Sequence, residues 1–342
     1  MLLTSDYILP EELTGYVRTA LADYPVNKFQ LAQWLPNKLE DDILYRLLAG
    51  GTGLTEAATF RTWDAESGIG RTQPIQLLRG ELPPISRKIR MSEYDRIRAR
   101  KVTDEKVREQ IFNDADTVVD QIAARIEVAR GDALVNGSVT LAEAGGMVVD
   151  YGRSSSCNIT VGTLWSNSSS DPLSDLMAAR DVYLGLNGVD PGAMVGGRRV
   201  WNTLLRNQAV RNQIFPGVQQ PTVVQQAMLD AMMEANGLPP FSQYQAQVLV
   251  NGSAQKIIPD NVVLFLPPAV APDEPEGTQL GATLWGPTSE SFEPDYNLSD
   301  DEPGIVAGVY KSDDPVSLWT KGAAVSLPVL ANPNLSMKIT VL

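Results

Sequence analysis

No histidine occurs anywhere in the 342 residues, and cysteine occurs once, as Cys157. The first absence excludes Ser-His-Asp and Cys-His nucleophiles, His-Glu-x-x-His zinc sites and His-x-Glu deaminase sites. The second excludes an intrachain disulfide and cysteine-rich metal centres, so folding does not depend on an oxidising compartment. No glycine is followed by lysine, which removes the Walker phosphate loop. No apolar run reaches the ~20 residues of a membrane span, and the nearest, NVVLFLPPAVAP, is interrupted by prolines. The start, MLLTSDYILPEEL, has no basic residue before Arg18 and does not read as a signal peptide. These absences predict a soluble protein made in the cytoplasm, with no cofactor, metal or membrane.

What is present is a composition suited to two domains or one elaborated domain, 43 % hydrophobic and 20 % charged. Lys and Arg number 28 against 41 Asp and Glu, a formal net charge of −13, which argues against a chain whose main task is to grip a phosphate backbone. Catalysis by carboxylates alone stays open on chemical grounds, with Asp273-Glu274-Glu276 and Asp300-Asp301-Glu302 as the clusters, but both lie in Pro- and Gly-rich sequence that reads as solvated loop. Gly50-Gly51-Thr52-Gly53 lacks the strand and helix of a phosphate cradle and reads as a hinge.

Pro10-Glu11-Glu12 predicts a helix start, with Leu13, Val17, Ala20, Leu21 and Tyr24 on one face and an end at Tyr24-Pro25. Such a short amphipathic helix is either the fold's first helix or an arm lying on another subunit. Residues 50–90 have no helical period and contain six glycines among strand-forming pieces such as TFRTW and PIQLL, which predicts a long two-stranded excursion with ESGIGR near its tip. An isolated ribbon is marginal in water, so something outside must support it.

From Thr103 to Asn136, Val107, Ile111, Ala115, Val118, Ile122, Ile126, Ala129 and Ala133 recur in steps of four or three, one face of a helix of ~50 Å. Small residues on that face favour packing on a sheet over a coiled coil. Glu105, Arg108, Glu109, Asp116, Asp120 and Arg130 form the opposite face, solvated or meeting a polar partner. Beyond Asp171 helices and strands alternate. DPLSDLMAARDVYLGLNG, RRVWNTLLRNQAVRNQ and QPTVVQQAMLDAMMEANG read as helices; QAQVLVNGSAQKIIPDNVVLFL reads as a hairpin turning at Asn251-Gly252 and then a buried strand. Two last strands flank Asn332-Pro333-Asn334. Residues 272–314 hold eleven acids against Lys311 alone, whereas Arg87, Lys88, Arg90, Arg96, Arg98, Arg100 and Lys101 form a basic stretch. Each is either a solvated face or one of two complementary patches that meet between copies.

Taken in order, the N-terminal arm, the glycine-rich excursion, the Arg-rich lead into one long helix, Val149-Asp150-Tyr151-Gly152-Arg153 with Asn158-Ile159-Thr160, Pro259-Asp260-Asn261 and Leu330-Ala331-Asn332-Pro333 resemble the major capsid proteins of lambda-like tailed phages, the phage capsid E family. The likeness spans almost the whole chain. It implies an α+β, HK97-type capsid fold with residues 1–49 as N-terminal arm, 50–90 as extended β-hairpin loop, 91–170 as peripheral domain with spine helix 103–136, 171–299 as axial α/β domain and 300–342 as return strands. The serine-rich stretch 148–172 then becomes a connection whose hydroxyls serve turns. The implied function is a structural, non-enzymatic subunit that assembles as hexamers and pentamers into an icosahedral head around double-stranded DNA, without sequence-specific binding. An encapsulin-like compartment shell is the alternative within the fold, a carboxylate-dependent enzyme the alternative outside it. The resemblance further implies a separate scaffolding protein, a portal, and a decoration protein at threefold positions. Contacts are expected from Arg61, Trp63, Arg71, Arg79, Asp300 and Asp301.

Overall fold

The computed structural model describes the chain apart from residues 1, 28, 50–56, 59, 65, 67–75, 93, 95–103, 142–144, 218–220, 273, 275, 276 and 299–302. In chain order come β1 (Leu2–Leu3), α1 (Pro10–Asn27), β2 (Asn37–Leu39), β3 (Leu44–Ala49), β4 (Gln76–Glu81), β5 (Pro84–Met91), α2 (Asp104–Asn136), β6 (Ser138–Leu141), β7 (Met147–Asp150) and β8 (Asn158–Thr160). There follow α3 (Pro172–Asn187), β9 (Ala193–Gly196), α4 (Arg198–Arg206), α5 (Gln208–Ile214), α6 (Gln226–Ala235), β10 (Phe241–Gln243), β11 (Gln247–Val250), β12 (Ser253–Lys256), β13 (Val262–Leu266), β14 (Gly281–Gly286), β15 (Val306–Asp313), β16 (Val316–Leu330) and β17 (Met337–Thr340).

Two sheets organise these elements. The first runs β1-β15-β16-β14-β2, with β5 also on β16. Leu318 of β16 pairs with both Lys311 of β15 and Met91 of β5, so β5 lies across β16 from β15. The second runs β10-β9-β13-β17-β8. Its centre, β13, is buried along all five residues, as the continuous VVLFL run requires.

The apolar period from Val107 onward folds as α2, and Ile111, Ala115, Val118, Ile122 and Ile126 are buried with Ala307, Val309 and Leu318 of the first sheet. The helix therefore packs on a sheet. Gly322 of β16 permits the close approach, because a Cβ there would stand 2.6 Å from Val118 Cγ1. Gly322→Ala should fold but lose about 1–3 kcal/mol by overpacking; an unchanged urea midpoint would contradict this. Leu13 and Val17 bury α1 in the same cluster, so in this conformation the first helix docks on its own chain. It extends past the expected stop at Pro25 to Asn27, since a proline in the last turn forfeits one backbone bond while keeping a helical φ.

One open expectation is decided and three are corrected. For Arg130 the polar partner holds and not the solvated face: it is 4 % exposed and bonded to Glu127, which is fully buried. Arg130 also donates to Thr283 Oγ1 at 2.9 Å and Asn37 Oδ1 at 2.6 Å, while Glu127 Oε1 accepts from the Leu31 amide at 2.9 Å and the Tyr244 hydroxyl at 2.7 Å. Burial pulls the Arg130 guanidinium below its usual range and the Glu127 carboxylate opposes that pull. Secondly, the ribbon spans 44–81 and not 50–90, because β5 leaves it to pair with β16. Thirdly, Phe60, Arg61, Thr62 and Trp63 of the TFRTW piece are not in a strand; the ESGIGR tip and the Gly50–Gly53 hinge fall wholly or largely outside the described residues. Fourthly, RRVWNTLLRNQAVRNQ is two helices. Asn207 turns extended and its side chain accepts from the Ala209 and Val210 amides, capping α5 and ending α4. The Asn251-Gly252 turn stands as expected, both residues at positive φ between β11 and β12.

Candidate assembly surfaces

The stretch 148–172 closes α2. Gly137, at φ +69°, ends that helix, and the chain returns through β6 and β7 to place Arg153 under its last carbonyls. The guanidinium donates to Leu134 O at 2.9 Å, Val135 O at 2.7 Å and Asn158 Oδ1 at 2.6 Å. A cation is favoured at this negative end of the helix dipole. Tyr151 donates to Pro328 O, Ser154 caps the short turn before β8, and Asp171 caps α3. Cys157 is fully buried, and burial pushes its thiol up despite nearby Arg153. It is a packed side chain and not a nucleophile. A thiol reagent at mildly alkaline pH should label Cys157 only after unfolding in denaturant; rapid labelling of the native protein would contradict this placement.

The ribbon is built differently. β3 and β4 pair antiparallel from Leu44 opposite Glu81 to Ala49 opposite Gln76, as a sheet of their own. Tyr45 anchors its base: the ring is buried, and a Cβ on Gly80 would stand 2.5 Å from its hydroxyl. On the other side Arg46 and Arg79 are exposed and directly opposed, a like-charge pair that is unfavourable within one ribbon. Exposed Leu39 and Ile43 precede it, exposed Leu44 opens it, and Phe60 and Trp63, the latter 97 % exposed, lie along the excursion. Of the expected contact residues, Arg61 and Trp63 are thus at the surface two positions apart, and Arg79 is on β4; Arg71, Asp300 and Asp301 lie outside the described residues. Arg46 was not among the residues singled out by sequence, although its place opposite Arg79 follows once the ribbon's register is known.

A second surface also escaped the sequence reading. Val200, Trp201 and Leu204 bury one face of α4, leaving Arg199, Asn202, Thr203 and Arg206 on the other. That face borders an open cleft of about 640 Å³ lined further by Arg198, Arg211, Lys256 and uncharged polar groups, with no carboxylate in its wall. Lys256 is paired with Asp260, and Arg211 with the Gln208 side chain. Arg198, Arg199 and Arg206 form no ion pair among the described residues. Of the basic stretch, Arg87, Lys88 and Arg90 are exposed on β5, where Lys88 and Arg90 stand over the Trp319 ring. No helix among the described residues is long and apolar enough to cross a membrane.

Comparison with known proteins places the fold that carries these surfaces. The chain is similar over 95 % of its length to a phage-related protein from Bordetella bronchiseptica RB50, at 13 % identity, TM-score 0.62 and 95 % coverage of that chain. It is similar over 96 % of its length to the capsid protein proposed for a prophage of Escherichia coli CFT073, at 13 % identity, TM-score 0.61 and 99 % coverage of that chain. At these identities the two share the fold, which is the HK97-type capsid fold. No curated protein sequence matches. The family model for phage major capsid protein E matches residues 51–341, which takes in the ribbon from within its tip, α2, the connection that caps it, the basic cleft and both sheets. A ribbon that among the described residues pairs only with itself, a long helix laid over a sheet and a family match across most of the sequence occur together in one chain, which belongs to the phage major capsid protein E family.

Proposed function

We propose that copies of this chain close as hexamers and pentamers into the icosahedral head that encloses the double-stranded DNA of a tailed phage. The observation that carries the reading is the β3-β4 ribbon, paired among the described residues only with itself, in a chain of the capsid E family. It is the extended loop, the chain before it the arm, α2 the spine of a peripheral domain, and the α3-to-β13 region the axial domain. Partner copies supply the support the ribbon lacks. A scaffolding protein and a portal guide closure, and a decoration protein reinforces the threefold positions. Among the described residues the outer edges of β3 and β4 have no strand partner, which supports strand addition by that decoration protein. Contacts with the decoration protein or between copies are made by Arg61, Trp63, Arg71, Arg79, Asp300 and Asp301. The acid surplus lets the wall surround DNA without holding it.

Co-expression with the scaffolding and portal proteins should yield closed shells by electron microscopy, one vertex carrying the portal; a stable monomer under those conditions sinks the reading. The ribbon contains no lysine from Leu44 to Glu81, and Lys88 sits beyond it on β5. Lys-Asn isopeptide cross-links through the loop are therefore unavailable, and boiled particles should run as a monomer band on a denaturing gel. A ladder of multiples would refute non-covalent closure.

A further inference from the structure

The capsid reading leaves the basic cleft on α4 without a task. Three arginines there have no ion pair among the described residues, and two further cations border them, in a chain with a net charge of −13. Like charges gathered in a concave, protein-walled space focus a positive potential and repel one another until an anion arrives. At about 640 Å³ the space admits a few side chains, whereas a duplex would touch only the rim.

An anion of the right size exists in the same chain. Glu293 and Asp295 are exposed on two short 3-10 turns held by buried Ser291 and Tyr296, next to exposed Phe292. Neither acid forms an ion pair among the described residues. Asp313 and Asp314, by contrast, share their hairpin with Lys311, and Glu290 is paired with Lys321 at 2.5 Å. The acidic turn packs beside α1 and hydrogen-bonds it through Asn297 and Glu11; it is no part of the cleft's wall.

We propose that the cleft receives the Glu293–Asp295 turn of a neighbouring copy, a pairing that rests on the shell reading. Two different patches on one chain make a head-to-tail contact, and head-to-tail contacts are the kind that close into rings. Arginine forks matched to carboxylates set the register between neighbours within a ring.

The test uses the full chain. Because Cys157 is buried, Arg199→Cys combined with Asp295→Cys places the only two accessible thiols on the two patches. Oxidation during assembly should give a ladder of disulfide-linked multimers on a non-reducing gel, and neither single variant should give more than a dimer. Separately, Arg198→Glu/Arg199→Glu/Arg206→Glu, and Glu293→Arg/Asp295→Arg, should each cut shell yield at least tenfold while the circular dichroism of the unassembled chain stays native; joining the two sets should restore most of it. If either set unfolds the chain, the neutral Gln versions replace it. Shells at wild-type yield from the arginine-reversed chain, together with no ladder, overturn the pairing. A ladder without shells upholds the pairing and overturns the shell reading. Anisotropy of a labelled DNA duplex should be the same with the wild-type and arginine-reversed chains; binding lost on reversal would overturn the assignment in favour of nucleic acid.

Discussion

Glu127→Ala is expected to cost about 3–5 kcal/mol, enough to leave little folded chain at 37 °C. The carboxylate has no contact with solvent and receives the Leu31 amide, the Tyr244 hydroxyl and the Arg130 guanidinium. Removing it strands a buried cation and two buried donors at once. Arg130 in turn reaches Asn37, which also accepts from Trp285, and Thr283, whose hydroxyl donates to Leu35 O. One network thereby ties α2 to the segment before β2, to β14 and to the region after β10. A double change, Glu127→Leu with Arg130→Met, should recover much of the loss, because an apolar pair needs no partner. Urea unfolding of the unassembled chain measures both; a loss below 1 kcal/mol for Glu127→Ala would show that the network is not closed.

Arg153→Ala comes next, at about 3 kcal/mol, from leaving Val135 O without its side-chain donor, Leu134 O with the Ser336 hydroxyl alone, and Asn158 and Ser336 without the cation that joins them. Lysine should rescue little, since a single ammonium cannot meet carbonyls arranged for a planar fork. Hydrogen exchange should report the loss first in the final turn of α2 and at β8. Uniform exchange across the chain would mean that Arg153 does not act as a local cap.

These two sites mark where sequence was readable and where it was not. The period of α2 and its end at Asn136-Gly137 were legible because one helix face repeats within a few residues and a left-handed glycine ends it. The motif 149–153 was visible as a pattern, but its purpose as the cap of α2 depends on a return through β6 and β7. For Arg130 the helix period left solvent or a polar partner open; the groups that it and Glu127 meet, Asn37, Tyr244 and Thr283, come from three distant segments, and no local rule brings them together. The ribbon was recognised but misplaced at its base, since β5 joins β16 more than two hundred residues downstream. The helix carrying Arg198, Arg199 and Arg206 was legible, while the cleft was not, because its other walls come from Trp165–Ser168, Gln245 and Lys256.

On the proposed function the β3-β4 ribbon finds its support on another copy of the chain. A residue-resolving electron-microscopy map of the assembled wall tests this most directly. In it Leu44–Ala49 and Gln76–Glu81 should lie against a neighbouring subunit, with the exposed Arg46 and Arg79 facing carboxylates of that neighbour. A wall in which the ribbon folds back onto its own sheets, with Arg46 and Arg79 facing solvent, would contradict it.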